Sequence, residues 1–114
     1  MIQIIAAPIT RDQLQQIANE TFGDLVKAVV DTRRHVMAVG GELHADEEAL
    51  LLESGSNQSD LWGINLYPSQ HGESMLEFDS MINVRPSQRN RSRTVEDATI
   101  RATIVDLVQK LIVE

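Results

Sequence analysis

Hydrophobic and polar positions alternate, cluster and repeat along this chain in a way that predicts most of its elements. Ile2 to Ile5 is a short β-branched run closed by Ala6-Ala7-Pro8, the pattern of a first strand at a sheet edge. Thr10 and Gln13 then stand at capping-box spacing, with Ile9 and Leu14 as a hydrophobic staple around the cap. Leu14, Ile17, Ala18 and Thr21 follow at helical spacing, and Gly23 supplies a stop. Their stripe is narrow, so this helix packs on one side only. Leu25 to Thr32 and Val36 to Val39 are two apolar runs split by the polar turn Asp31-Thr32-Arg33-Arg34-His35, which predicts an antiparallel hairpin. Apolar residues at successive positions place both strands centrally, covered on both faces. Gly40-Gly41 ends the second strand and allows a close backbone approach.

The stretch Glu42 to Glu53 carries two readings. Asp46-Glu47-Glu48 ahead of Ala49-Leu50-Leu51-Leu52 suits a helix, because acids favour its positive N-terminal end. A strand from Ala49 to Glu53 is the alternative. Ser54 to Asp60 is a loop. Leu61 to Tyr67 alternates as a strand ended by Pro68. Leu76 to Arg85 alternates more cleanly, with Leu76, Phe78, Ser80, Ile82 and Val84 opposed by Glu77, Asp79, Met81, Asn83 and Arg85. Pro86 to Arg93 is a polar loop. Thr94 and Asp97 resemble a capping box, and Ile100, Ile104, Leu107, Val108 and Leu111 form the fullest amphipathic stripe of the chain. The expectation is an α+β fold: a mainly antiparallel sheet of about five strands with two or three helices packed on one face, as a single domain over residues 1–114. Helices on opposite faces would contradict it.

Composition narrows the function classes. The 114 residues carry 17 acids and 10 bases, a formal charge of −7, and 42% hydrophobic residues, as in one ordinary globular domain. There is no cysteine, so disulfides, thiolate nucleophiles and cysteine-held zinc are excluded. No apolar run approaches the ~18 residues of a membrane span, and Met1 to Ala7 lacks the basic region of a signal peptide. A soluble cytoplasmic protein without membrane contact is expected.

Three segments could carry chemistry. In Arg85-Pro86-Ser87-Gln88-Arg89-Asn90-Arg91-Ser92-Arg93, four of the chain's eight arginines fall within nine residues without an acid. Guanidinium forks match phosphate or carboxylate oxygens. Arg85, Ser87, Asn90, Arg91, Ser92 and Arg93 are therefore candidate ligand residues for an anion, unless the arginines pair with the protein's own acids or lie solvated. Duplex nucleic acid is disfavoured, because its binders are strongly basic and this chain is acidic. The small aromatic set, 4% of residues, also counts against a single-strand binder. In the second segment, Glu42, His44 and Asp46 project from one face if Gly40 to Asp46 is extended, and could hold a divalent metal and a water. A glycine turn followed by an acidic helix start accounts for the same residues. The third is the strand face Glu77, Asp79, Asn83 and Arg85, which equally suits a solvated sheet surface. Trp62 and Tyr67 read as core or interface. No Gly-x-Ser-x-Gly elbow, P-loop or dinucleotide fingerprint is present.

The run Gly40-Gly41-Glu42-Leu43-His44-Ala45-Asp46 with Leu50-Leu51-Leu52-Glu53, then Leu61-Trp62-Gly63-Ile64-Asn65 and Tyr67-Pro68, resembles a small bacterial family of unknown function. Ile82-Asn83-Val84-Arg85-Pro86-Ser87-Gln88 with Asn90-Arg91-Ser92 is similar to the same family. The resemblance spans the chain from Leu25 onward and implies a bacterial single-domain protein. It implies no activity, cofactor or catalytic residue. The family pattern has glycine where this chain carries Arg89, so no glycine-only turn is expected there.

Two function classes fit these residues. One is a non-enzymatic binding or regulatory module whose arginine loop recognises an anionic ligand or an acidic protein partner, with no cofactor. The other is a metal-assisted hydrolase of a phosphate-containing substrate using Glu42, His44 and Asp46. They separate on whether the arginine loop meets His44 in space. A homodimer pairing across the Ile2 to Ile5 edge is the expected assembly.

Overall fold

In the computed structural model, which describes residues 1–114, the apolar runs become a sheet with helices on both sides. The strands are β1 (Gln3–Ile5), β2 (Ile9–Thr10), β3 (Val26–Asp31), β4 (Val36–Val39), β5 (Leu61–Leu66), β6 (Leu76–Glu77) and β7 (Ile112–Val113). The helices are α1 (Arg11–Asn19), α2 (His44–Glu53) and α3 (Ala98–Leu111). Five strands form an antiparallel sheet in the order β1-β4-β3-β5-β6, while β2 pairs in parallel with β7. The α+β class, the five-stranded antiparallel sheet and the three helices are as the sequence predicts. No helix is long and apolar enough to cross a membrane.

The placement of the helices on one face is corrected. On β3 and β4, Val26, Ala28, Val30, Met37 and Val39 join an 18-residue core cluster with Leu14 and Ala18 of α1 and Ile104, Leu107, Val108 and Leu111 of α3. The residues between them, Val29, Val36 and Ala38, join Leu61 and Leu51 of α2 in a second cluster of five. Alternate side chains of a strand leave opposite faces, so α2 lies across the sheet from α1 and α3. The two-sided burial of β3 and β4 requires a cover on each face, and α2 supplies the second.

Local signals work where backbone donors need partners. The Gln13 amide donates to Thr10 Oγ1 at 3.1 Å and the Thr10 amide to Gln13 Oε1 at 2.8 Å, the reciprocal cap of α1. At α3 the cap is Asp97 rather than Thr94. Asp97 Oδ1 accepts from the Thr99 and Ile100 amides at 2.8 and 3.1 Å, while the Thr94 carbonyl is taken by Asn90. The hairpin turns on Asp31, whose Oδ1 accepts from the Arg33 and Arg34 amides, both at 2.9 Å.

The long strand expected over Leu76 to Arg85 is also corrected. Strand pairing stops at Glu77, and Met81–Asn83 forms a short 3-10 turn. There the Asn83 side chain takes the place of a neighbouring strand. Its Oδ1 accepts from the Gly63 amide at 2.8 Å and its Nδ2 donates to the Gly63 carbonyl at 2.9 Å. A Cβ on residue 63 would lie 2.5 Å from Ser80 Cβ, so only glycine lets this segment sit so close on β5.

Candidate functional site

The α2 side of the sheet has a polar place at the start of β3 and the end of β5. Lys27 on β3 and Asn65 on β5 stand opposite each other there, each inside an otherwise apolar run. Above them the chain enters α2 at His44, and Asp79 to Ile82 passes alongside. Arg93, at the end of the arginine loop, closes the side. Together they line an open cleft of about 250 Å³ whose apolar rim carries the exposed side chains of Leu43 and Met81.

His44 is oriented by the sheet. Its Nε2 donates to the Ile64 carbonyl at 2.8 Å, which fixes the tautomer because a carbonyl only accepts. Burial pushes the imidazole pKa down from its ordinary value, so the ring is neutral at neutral pH. Nδ1 has no partner in the protein and stays open to solvent. Leu43, the N-cap, offers no side-chain bond to the start of α2; the Asp46 amide donates to the Leu43 carbonyl at 3.2 Å, and the His44 and Ala45 amides ahead of it are left to solvent or a ligand.

Two cations flank that helix start. Lys27 forms no ion pair, and its ammonium lies 5.3 Å from the centre of the Phe22 ring. Arg93 Nε donates to Asp79 Oδ1 at 2.7 Å, while its two terminal nitrogens donate to nothing. Asn65 Nδ2 donates to Glu77 Oε1 at 2.9 Å, and the Tyr67 hydroxyl donates to the same oxygen at 3.0 Å. Burial first, and then Glu77, push the Tyr67 phenol pKa up. The cleft therefore presents two positive side chains and a helix N-terminus against one carboxylate.

The arginine loop divides into occupied and open residues. Arg85 donates to the Gln58 and Leu61 carbonyls and to Gln88 Oε1, with its guanidinium 4.1 Å from the centre of the Trp62 ring. Burial pushes its pKa down, partly offset by the charge of Glu48. Asn90 is buried, and its Nδ2 donates to the Asn83, Ser92 and Thr94 carbonyls while its Oδ1 accepts from the Glu96 amide. The Arg91 amide, the Ser92 amide and the Ser92 hydroxyl all donate to Glu96 Oε2, at 2.7, 3.0 and 2.8 Å. Hydrogen bonds from Ser92 and the Arg91 amide hold the Glu96 pKa low. The loop is thus folded around an anion that the chain itself provides. Ser87, Arg89 and Arg91 are exposed, and the Arg91 side chain has no partner. Arg89 adopts φ +61°, in the left-handed region that favours glycine, and the turn forms with arginine there.

Of the second segment only His44 enters the cleft. Glu42 and Asp46 face solvent, and nowhere do three His, Asp or Glu side chains converge as metal ligands. Trp62 is buried in the core. The third segment does not share a face: Glu77 holds Asn65 and Tyr67, Asp79 holds Arg93, Asn83 holds Gly63, and Arg85 covers Trp62. Sequence reasoning missed Lys27 and Asn65, although a polar residue inside an apolar central strand is a readable signal. It also missed Glu47, which is fully buried and accepts the Gly41 amide on Oε2 at 3.0 Å. Burial pushes the Glu47 pKa up to about 9.

The model of the family described as "Protein of unknown function (DUF5674)" matches residues 3–111. The chain belongs to this family. Comparison with curated proteins and with solved structures finds no match. The DUF5674 assignment agrees with the family resemblance of the sequence and attaches no activity to the cleft.

Proposed function

We propose that this DUF5674 protein is a non-enzymatic binding module for a small ligand with an anionic group, seated in the cleft at the start of α2. The observation that carries this reading is the convergence of Lys27 and the terminal nitrogens of Arg93 on a helix start that no side chain caps. Unpaired helix amides and two cations form an electrostatic site for a carboxylate, phosphate or sulfonate. The volume, about 250 Å³, lies below the usual ~300–1,000 Å³ of drug-sized sites and suits a metabolite-sized anion. Arg93 is the contribution of the arginine loop; Ser87 and Arg91 lie outside the cleft, where an acidic protein partner would meet them. The hydrolytic alternative has His44 and Arg93 at one cleft but lacks Glu42 and Asp46, so the binding reading is the better supported.

The test is thermal and urea unfolding of the full chain with phosphate, small carboxylates and small sulfonates at low salt. An anion at 100 times its Kd stabilises by about 2.7 kcal/mol. Lys27→Ala is expected to weaken binding about tenfold or more. Absence of stabilisation by any anion at tens of millimolar overturns the proposal.

A further inference from the structure

The cleft holds one group that anion binding does not use. His44 is nine-tenths buried, and its Nε2–H is committed to the Ile64 carbonyl. A neutral imidazole with one N–H leaves the other nitrogen as an acceptor. Nδ1 is that acceptor, unpartnered and open to the cleft. Around it stand Lys27, Arg93 and the first amides of α2, all donors without spare lone pairs. Two other side-chain acceptors stand at the cleft: the Asp79 carboxylate, which already holds Arg93, and Asn65 Oδ1, which has no partner but is closed off from solvent, whereas Nδ1 is not. A bare anion would satisfy the donors and leave Nδ1 facing a group that cannot donate to it.

Resting on the anion-binding reading, we propose that the ligand of this site carries a hydroxyl two or three bonds from its anionic group, and that Nδ1 of His44 accepts the hydroxyl proton as a hydrogen bond. The ligand class is then hydroxylated small acids, such as hydroxy acids or sugar phosphates. Their anionic end lies at Lys27, Arg93 and the helix start. Selectivity follows from the pairing rule for polar groups: a ligand that fills the cleft displaces the solvent at Nδ1, and without the hydroxyl it gives the imidazole acceptor no donor in exchange.

A matched pair of sulfonates tests this, because both stay fully ionised across the pH range used. Isethionate (2-hydroxyethanesulfonate) and ethanesulfonate are titrated into the full chain by calorimetry at pH 7.5. The expected result is about tenfold tighter binding of isethionate. His44→Phe, checked by its unfolding curve, should bind both sulfonates equally. Acidification of the wild-type protein gives a second readout should that variant fail to fold. Protonation of Nδ1 converts the acceptor to a donor that a sulfonate oxygen or a hydroxyl oxygen can each accept from, so ethanesulfonate should gain affinity and the isethionate preference should shrink. The charged groups facing the ring are Lys27, Asp79 and Arg93; an Asp79→Asn variant that keeps the acid-dependent loss assigns it to His44. Equal binding of the two sulfonates at pH 7.5, with both lost in Lys27→Ala, overturns the hydroxyl assignment and leaves the anion site standing. A hydroxyl preference that persists in His44→Phe, or that is undiminished at acidic pH, also overturns it. Failure of both sulfonates to bind overturns the anion reading itself.

Discussion

Glu47 is the residue most altered by its surroundings. Fully buried in the first turn of α2, it keeps one oxygen on the Gly41 amide and leaves Oε1 without a partner. Burial raises its pKa to about 9, so the native state holds a proton at neutral pH that the unfolded chain, titrating near 4.5, has released. A raised native pKa gives stability that is complete below about pH 4.5 and is lost as pH rises toward 9. The expected loss is up to ~1.4 kcal/mol per pH unit over that window. Glutamine mimics the protonated acid. Glu47→Gln should therefore match wild type to within about 1 kcal/mol at pH 4–5 and exceed it at pH 8. Urea titrations at those pH values would show it, and parallel pH profiles would contradict it. The arginines divide in the same residue-by-residue way. Arg85→Lys loses the planar fork on two carbonyls and the stacking on Trp62, which should cost roughly 1–3 kcal/mol. Arg91→Ala, at an exposed side chain with no partner, should change stability by less than ~0.5 kcal/mol. Composition revealed the arginine cluster; which guanidinium is anchored depends on carbonyls from distant segments, and local sequence carries no record of them.

Among the elements, α1 was legible because its cap and its stripe lie within a dozen residues of each other. α2 was legible only as the first of two readings, because its buried positions are His44, Glu47 and Leu51. The spacing is helical, but two of the three residues are polar, so the hydrophobic period is masked while Leu52 is left exposed. The false strand after β6 has a different cause. Alternation of Leu76, Phe78, Ser80 and Ile82 reflects a chain crossing the sheet edge: Phe78 packs on the large cluster and Ile82 on the small one. Asn83 makes this possible by bonding Gly63 as a strand would, and its Nδ2 also donates to the Arg93 carbonyl at 2.9 Å. It thus ties β5 to the residue that closes the cleft. Asn83→Ala leaves the Gly63 amide and carbonyl unpaired in a buried place, so about 3 kcal/mol or more of stability should be lost. The same variant should weaken anion binding by loosening Arg93, whose carbonyl then keeps only the Ser80 amide. An unfolding curve that overlays wild type would show that the side chain merely fills space.

The whole molecule is an uneven sandwich. The α1 and α3 side contains 18 buried core residues and the α2 side five. The doubly apolar runs of β3 and β4 already pointed to a cover on both faces, whereas the one-sided stripes of α1 and α3 described only their own side. Reading the strands ahead of the helices would have placed α2 correctly. The imbalance has a dynamic consequence, because the layer with less buried apolar area opens at lower free energy. α2 holds on mainly through Leu51, the Glu47 bond to Gly41 and the His44 bond to Ile64, and the last two lie in its first turn, beside the cleft. Amide hydrogen exchange should therefore show α2 opening in a sub-global step while β3 and β5 exchange only with global unfolding. A ligand that bonds the start of α2 binds the closed form alone and raises protection selectively there. Protection of α2 equal to that of β3 in the free protein would mean that the two faces unfold as one unit.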